Sequence, residues 1–82
     1  MRLDIFLKLS RLLSRRTAAA AACQEGRVRV NGTTAKASRS IATGDIVEVT
    51  FDDIPSEFVV IKVPETKQVS KKEAALLVSK KG

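Results

Sequence analysis

Residues 2–13 read RLDIFLKLSRLL, residues 14–26 read SRRTAAAAACQEG, and residues 27–36 read RVRVNGTTAK. Apolar residues of the first segment recur at the i, i+3, i+4 spacing of a helix with one buried face, which predicts a helix over about Leu3–Leu12. The alanines of the second segment predict a helix of small side chains that packs closely against a neighbour. The third segment predicts a tight hairpin, and the rest of the chain is expected to support the surface that these elements form.

The second helix is expected to run from Arg15 to about Gln24. Ser14 is its predicted N-cap, because a serine hydroxyl readily accepts a hydrogen bond from a free N–H of the first turn. Gly26 stands just after the helix, where a left-handed residue is favoured. Cys23 is interpreted as a small buried hydrophobe, since the chain contains no histidine to act as its base.

Alternating residues predict a small sheet beyond the second helix. Residues 27–30 alternate Arg with Val, and Asn31-Gly32 is typical of a type I′ turn because both residues tolerate positive φ. The return strand is expected over residues 33–37. Three further segments are predicted downstream: a strand over 46–51, an acidic loop over 52–57 and a nearly apolar strand over 58–63.

The hydrophobic pattern of the compact part closes at Val63, before Pro64. Residues 70–73 then form a capping box that begins a helix of about ten residues, too short to be stable alone in water. That helix is expected either to dock on the domain or to order on a partner. The predicted fold class is α+β, with two N-terminal helices packed on a small, mostly antiparallel sheet plus a short C-terminal helix. The predicted organisation is a domain over 1–64 and a basic tail over 65–82.

Positive charge is concentrated in the first half of the chain. Residues 1–39 hold nine Lys or Arg and two acids, a net charge of +7, whereas residues 40–82 have a net charge of −1. All seven arginines lie in the first half, and arginine is the better phosphate ligand because its planar fork donates two parallel hydrogen bonds. This segregation favours a nucleic acid partner over an acidic protein or a membrane surface.

Two cations break a local rule of helix design. Arg15 and Arg16 are placed at the start of the second helix, where the positive end of the helix dipole disfavours cations. Such exceptions concentrate at functional sites, so a phosphate held by both guanidinium groups is predicted here. The alternative is that the arginine stems pack on the first helix while their charged ends stay in water. Asp4 is interpreted as a surface partner of Lys8, four residues later.

Composition argues against several other functions. With no His and one Cys, neither a catalytic nucleophile–base pair nor a cysteine metal site is predicted, and no cofactor is expected. No apolar run is long enough to span a membrane, and the N-terminus is unlike a signal peptide, so the expected location is cytoplasmic. Three Phe with no Tyr or Trp offer little for base stacking, which favours folded RNA over single strands.

The sequence resembles the S4 RNA-binding domain over about residues 1–51. The matching residues share both type and spacing with that family: RLDIFL at 2–7, Arg11, SRR at 14–16, Ala18, Ala22, Gly26, VRVNG at 28–32, Lys36, Ser38 and GD at 44–45. The resemblance implies the S4 (alpha-L) fold and RNA binding without catalysis.

The residues after the S4 match narrow the resemblance to small standalone bacterial S4 proteins. A short extra hairpin and a basic tail look like the P-site factors of ribosome-associated quality control, and the long basic extension of the related heat-shock protein Hsp15 is missing. The resemblance implies a monomer that binds the large ribosomal subunit carrying stalled peptidyl-tRNA. It implies contacts with 23S rRNA and the tRNA, and support of C-terminal tailing of the nascent chain. The tailing factor is a further candidate partner. The alternatives are an Hsp15-like factor for free large subunits and a basic module for an acidic protein.

Carried over by position, the family's RNA-facing surface is expected to comprise cationic residues of the first half and one turn residue. The candidates are Arg2, Lys8, Arg11, Arg15, Arg16, Asn31, Lys36 and Arg39. Asn31 has the competing interpretation that it serves only the hairpin turn.

Overall fold

The computed structural model of the chain describes residues 1–66 and 68–81. The described residues form three helices and five strands, which confirms the predicted α+β class and the two N-terminal helices. In chain order the elements are α1 (Leu3–Leu9), α2 (Arg16–Gln24), β1 (Val28–Val30), β2 (Thr33–Thr34), β3 (Ile46–Phe51), β4 (Ile54–Val60), α3 (Lys71–Ala74) and β5 (Val78–Lys80).

The first helix is shorter than predicted, because it ends at Leu9 rather than about Leu12. Arg11 has a φ of +62°, a left-handed conformation that turns the chain away from the helix axis. The Arg11 N–H donates to the Lys8 carbonyl at 3.0 Å, and the Leu13 N–H donates to the Leu7 carbonyl at 3.2 Å. These bonds close the last turn of α1 and lead the chain towards α2.

The prediction of Ser14 as the N-cap of α2 is wrong. The helix begins at Arg16, and its N-cap is Arg15, which makes no side-chain capping bond. The extended backbone of Arg15, with φ −137° and ψ 146°, moves the helix start one residue along the chain and leaves Ser14 outside it. The end of α2 is as predicted, since Gly26 adopts a φ of +76° there.

The five strands form one antiparallel sheet in the order β2-β1-β3-β4-β5. The predicted type I′ turn between β1 and β2 is confirmed, because Asn31 and Gly32 have φ values of 53° and 83°. The return strand β2 is shorter than the predicted 33–37, and the chain from Ala35 to Arg39 is irregular.

The acidic loop predicted over 52–57 is wrong. Only Asp52 and Asp53 form the turn, with φ values of 47° and 66°, and β4 begins at Ile54 directly opposite Phe51. Pro55 is tolerated within β4 because this end of the strand has only β3 as a neighbour, since β5 pairs with Phe58–Val60 alone. The backbone N–H that proline lacks is therefore not needed for pairing on the open side. The same strand ends at Val60 and not at the predicted residue 63.

The C-terminal segment docks on the sheet. The Ser70 hydroxyl accepts a bond from the Glu73 N–H at 3.1 Å, as the capping box predicts, but α3 has four residues and not about ten. Ala74 and Leu77 are buried, and the chain then forms β5, which the sequence pattern did not predict. Whether residues 1–64 fold as a domain without this segment stays a prediction.

The core lies between the helices and one face of the sheet. It is built from the buried residues of α1, the small residues of α2, alternate valines of the central strands and Leu77. The aliphatic and aromatic side chains with no exposed surface are Leu3, Phe6, Leu7, Ala19, Val28, Val30 and Val47. This packing fixes the N-termini of α1 and α2 side by side.

Candidate nucleic-acid interface

A buried carboxylate joins the starts of the first two helices. Asp4 is 2% exposed, and its two oxygens lie 3.3 Å from the Arg2 Nε and 3.2 Å from the Arg16 Nε. Its Oδ1 also accepts a hydrogen bond from the Ile5 N–H at 2.8 Å. The interpretation of Asp4 as a surface partner of Lys8 is therefore wrong, because Asp4 lies on the side of α1 that faces α2.

This arrangement holds two arginines in place while leaving them accessible. The side chains of Arg2 and Arg16 are 48% and 53% exposed, in contrast to 3% for Asp4. Arg16 uses its Nε–H on Asp4, and among the described residues the terminal NH₂ groups of its guanidinium have no partner. Those donors remain free for an anion, and the buried carboxylate limits the side-chain entropy lost when one binds.

Arg15 differs from its neighbour. It is exposed, and it makes no ion pair with any of residues 1–66 or 68–81. The Arg15 side chain makes no capping bond, and no other side chain within residues 1–66 and 68–81 accepts from the first N–H groups of α2. Those N–H groups are therefore available to a phosphate. The structure thus places Arg15, Arg16 and an uncapped helix N-terminus together.

The loop after β2 brings further cations to the same end of α1. The Arg39 carbonyl accepts a bond from the Leu3 N–H at 2.7 Å, and Arg2 forms an isolated β-bridge with Ser40. The Arg39 N–H in turn donates to the Lys36 carbonyl at 3.0 Å. Arg39 is half-buried, whereas Lys36 is exposed beside a groove along α2.

Lys8 and Arg11 form a separate group at the other end of α1. Six residues separate Arg2 from Lys8, so the two groups are about 9 Å apart along the helix axis. Both residues are exposed and line a groove whose opposite side is residues 68–70. The candidate cations therefore occupy both ends of one short helix.

Asn31 uses its side-chain amide within the protein. Its Nδ2 donates to Asp45 Oδ1 at 3.2 Å, and its Oδ1 accepts from the Ile46 N–H at 2.9 Å. These bonds tie the first hairpin to the start of β3. The geometry favours the turn role of Asn31, and its contact with RNA stays a prediction.

Asp4 is the residue of this surface that sequence reasoning missed. Its spacing from Lys8 suggested an ordinary i, i+4 pair on a solvent-facing side. One sequence signal does point to its burial. Asp4 lies three positions before Leu7, and residues three apart share one side of a helix, so Asp4 lies at the margin of the face that Leu3 and Leu7 bury.

Cys23 is buried as predicted, and burial, together with the charge of Asp4, raises the pKa of its thiol above the ordinary value. Within residues 1–66 and 68–81, no cluster of three or more His, Cys, Asp or Glu side chains is placed to hold a metal ion. Across the same ranges, no helix has the length and apolar character needed to cross a membrane.

Comparisons with known proteins identify the family of the chain. Residues 1–47 match the model of the S4 domain family. Over 75 residues, which are 92% of the chain, the sequence is 45% identical to the RQC P-site tRNA stabilizing factor of Bacillus subtilis and covers 84% of that protein. The protein of the same name from Helicobacter pylori J99 is 33% identical over 81 residues, covering 99% of this chain and 96% of the relative.

Two solved structures share the fold over nearly the whole chain. The trimeric structure of Vibrio cholerae heat shock protein 15 superposes with a TM-score of 0.87 at 25% identity, covering 99% of this chain and 81% of that one. The solution structure of HP1423 has a TM-score of 0.86 at 33% identity, covering 100% of this chain and 98% of that one. The similarity to both structures extends beyond the S4 match and includes the C-terminal segment.

Proposed function

The chain belongs to the S4 domain family, and from that membership we propose that it stabilises P-site tRNA on the large ribosomal subunit during ribosome-associated quality control. In this role it binds a subunit that carries a stalled peptidyl-tRNA, contacts 23S rRNA and the tRNA, and supports C-terminal tailing of the nascent chain. It acts as a cytoplasmic RNA-binding factor without catalysis.

The observation that carries the RNA-binding part is the arrangement around Asp4. One buried carboxylate orients Arg2 and Arg16, each about half exposed, beside the unpaired Arg15 and the uncapped start of α2. Backbone N–H groups and guanidinium donors converge there, and both bind phosphate well. A purely structural ion pair would not need the additional Arg15.

The specific role is supported by the relatives. The RQC P-site tRNA stabilizing factors match at least 92% of the chain at 33–45% identity, so the similarity includes the residues after the S4 domain. Of the eight candidate RNA contacts, we propose Arg2, Arg15 and Arg16 as the central ones. Lys36 and Arg39 extend this surface, Lys8 and Arg11 are candidates at the other end of α1, and Asn31 is a peripheral candidate.

A second candidate function is favoured by the fold neighbour from Vibrio cholerae. The match to heat shock protein 15 over 99% of this chain supports an Hsp15-like role, in which the protein binds free large subunits. The two roles differ in the state of the subunit that is recognised. They can therefore be separated by offering the protein both states.

The test is co-sedimentation with large subunits prepared with and without peptidyl-tRNA in the P site. The quality-control role predicts tighter binding to the subunits that carry peptidyl-tRNA, and loss of that binding on Arg15→Ala. A Lys80→Ala variant removes one charge from β5, the edge strand beside β4, and serves as the matched control. Equal or tighter binding to empty subunits would favour the Hsp15-like role, and nuclease-resistant binding to an acidic protein would contradict both.

A further inference from the structure

A cationic groove lies between the turn after α1 and the segment that leads into α3. Lys8, Arg11 and Ser14 line one side of it, and Gln68 and Ser70 line the other. No acid is among the described residues that line this groove. Unlike Arg2 and Arg16, which share the Asp4 carboxylate, Lys8 and Arg11 make no ion pair within residues 1–66 and 68–81, so the groove keeps its positive charge.

Arg11 has a backbone conformation that disfavours side chains. Its φ of +62° lies in the left-handed region, which is strained for a residue with a Cβ. Glycine is the usual residue at this place after a helix, and it would avoid that strain. A strained arginine that is exposed and unpaired is typical of a ligand-binding position.

The second side of the groove rests on a fixed support. The Ser70 hydroxyl caps α3, Ala74 and Leu77 are buried in the core, and β5 pairs with β4. Lys71 and Lys72 directly follow Ser70, are exposed, and make no ion pair within the described ranges. The C-terminal segment therefore adds two accessible cations next to the groove, and this segment lies beyond the S4 match at residues 1–47.

We propose that this groove is a second RNA-binding site, which takes the phosphodiester backbone between Lys8 and Arg11 on one side and residues 68–70 on the other, with Lys71 and Lys72 next to it in sequence. This inference rests on the proposed function and deepens it, because it extends RNA contact from the S4 domain to the C-terminal segment. No aromatic ring is among the described residues that line the groove, and its cations and hydroxyls therefore suit phosphates rather than stacked bases. The lining also includes Leu9, Gln68 and Val69.

The test measures the salt dependence of RNA binding by the full-length chain. A Lys71→Ala/Lys72→Ala variant removes the two cations that directly follow the groove residue Ser70. It is compared with a Lys62→Ala/Lys80→Ala variant, which removes the same charge from positions that are not adjacent to a groove residue in sequence. Each is titrated at several salt concentrations against isolated tRNA and, separately, against empty large subunits. Removing one cation that binds a phosphate reduces the slope of log affinity against log salt by about 1. The groove variant is expected to shift the slope by about 1–2, and the control by less than about half of that.

A second variant separates binding from folding. Arg11→Gly removes a groove cation and relieves the strain of the left-handed backbone. The melting temperature of this variant should therefore rise, while the magnitude of its slope of log affinity against log salt should decrease by about 1. A shift seen with tRNA alone or with subunits alone supports the groove and identifies which RNA it takes. Groove and control variants with the same slopes on both RNAs would overturn it. If Arg15→Ala still abolishes binding in that case, the proposed function stands without the groove.

Discussion

Arg15 and Arg16 are adjacent in sequence and equal in charge, and the structure predicts different effects of replacing them on stability. Arg16→Ala removes the Nε–H donor that lies 3.2 Å from the buried Asp4 carboxylate. Arg15→Ala removes an exposed side chain with no ion partner among the described residues. Each substitution is therefore the matched control for the other.

The magnitude follows from the burial of Asp4. Removing one partner of a fully buried ion pair costs about 3–5 kcal/mol. Arg16 is 53% exposed and Arg2 still contacts Asp4, so solvent screening reduces the expected loss for Arg16→Ala. We expect about 1–2 kcal/mol, which is the lower part of the range of about 1.5–3 kcal/mol for a hydrogen bond to a charged group, reduced by the exposure of Arg16. In a chain of this length, that lowers the melting temperature by about 4–16 °C. Arg15→Ala should change stability by less than about 0.5 kcal/mol, as surface substitutions usually do.

The assay pairs a thermal melt with a sucrose-gradient profile for each variant. Both variants should bind large subunits more weakly, by about 1–3 kcal/mol for each charge-assisted hydrogen bond that is removed. Only Arg16→Ala should also melt at a lower temperature. An Asp4→Asn background should abolish most of the stability difference, because the cycle isolates the Asp4–Arg16 pair. The assigned role of Asp4 would be refuted if Arg16→Ala had the melting temperature of the wild type. It would also be refuted if Arg15→Ala lowered the melting temperature as much as Arg16→Ala does.

Three further predictions test the charge, the C-terminal segment and the turns. With five to seven phosphate contacts, log affinity for rRNA should fall against log salt with a slope of about −4 to −6, and a slope near zero would contradict phosphate binding by residues 1–39. Leu77→Ala should lower the free energy of unfolding by about 2–5 kcal/mol, whereas Leu76→Ala should change it little because the Leu76 side chain is 66% exposed. Equal effects of the two substitutions in denaturant titrations would contradict the docking of the C-terminal segment. Asp53→Gly should raise the free energy of unfolding by about 0.5–1 kcal/mol because φ is +66° there, and Gly32→Ala at φ +83° should lower it; the opposite order of melting temperatures would contradict the type I′ geometry of the turns.

Features set by neighbouring residues could be predicted from the sequence. Asn31-Gly32 forms the expected turn because the requirement for positive φ at both residues is local. The burial of Val47 and Val49 follows from alternation along one strand. The pattern does not extend to Phe51, which has the same phase but is 36% exposed at the tip of its hairpin.

Features that depend on distant partners could not be predicted in this way. β5 exists because β4 offers it a free edge, and nothing in residues 78–80 requires a strand by itself. The burial of Asp4 depends on Arg16, which is 12 positions away and reaches it only after the turn through Arg11 is made. The site was therefore predicted as a set of cations, while the carboxylate that organises it became visible only in the packed structure.

Parts of the binding surface lack local bonds that comparable positions elsewhere in the chain have. Ser70 caps α3, and the Asn31 amide satisfies the start of β3. On the surface, α2 has no capping side chain and Arg11 stands where glycine is favoured. Each departure lowers stability slightly and leaves a donor or a charge unsatisfied, so a bound phosphate would recover interactions that folding alone does not supply. RNA binding should accordingly raise the free energy of unfolding of this domain by more than it would raise that of a domain whose surface cations were already paired.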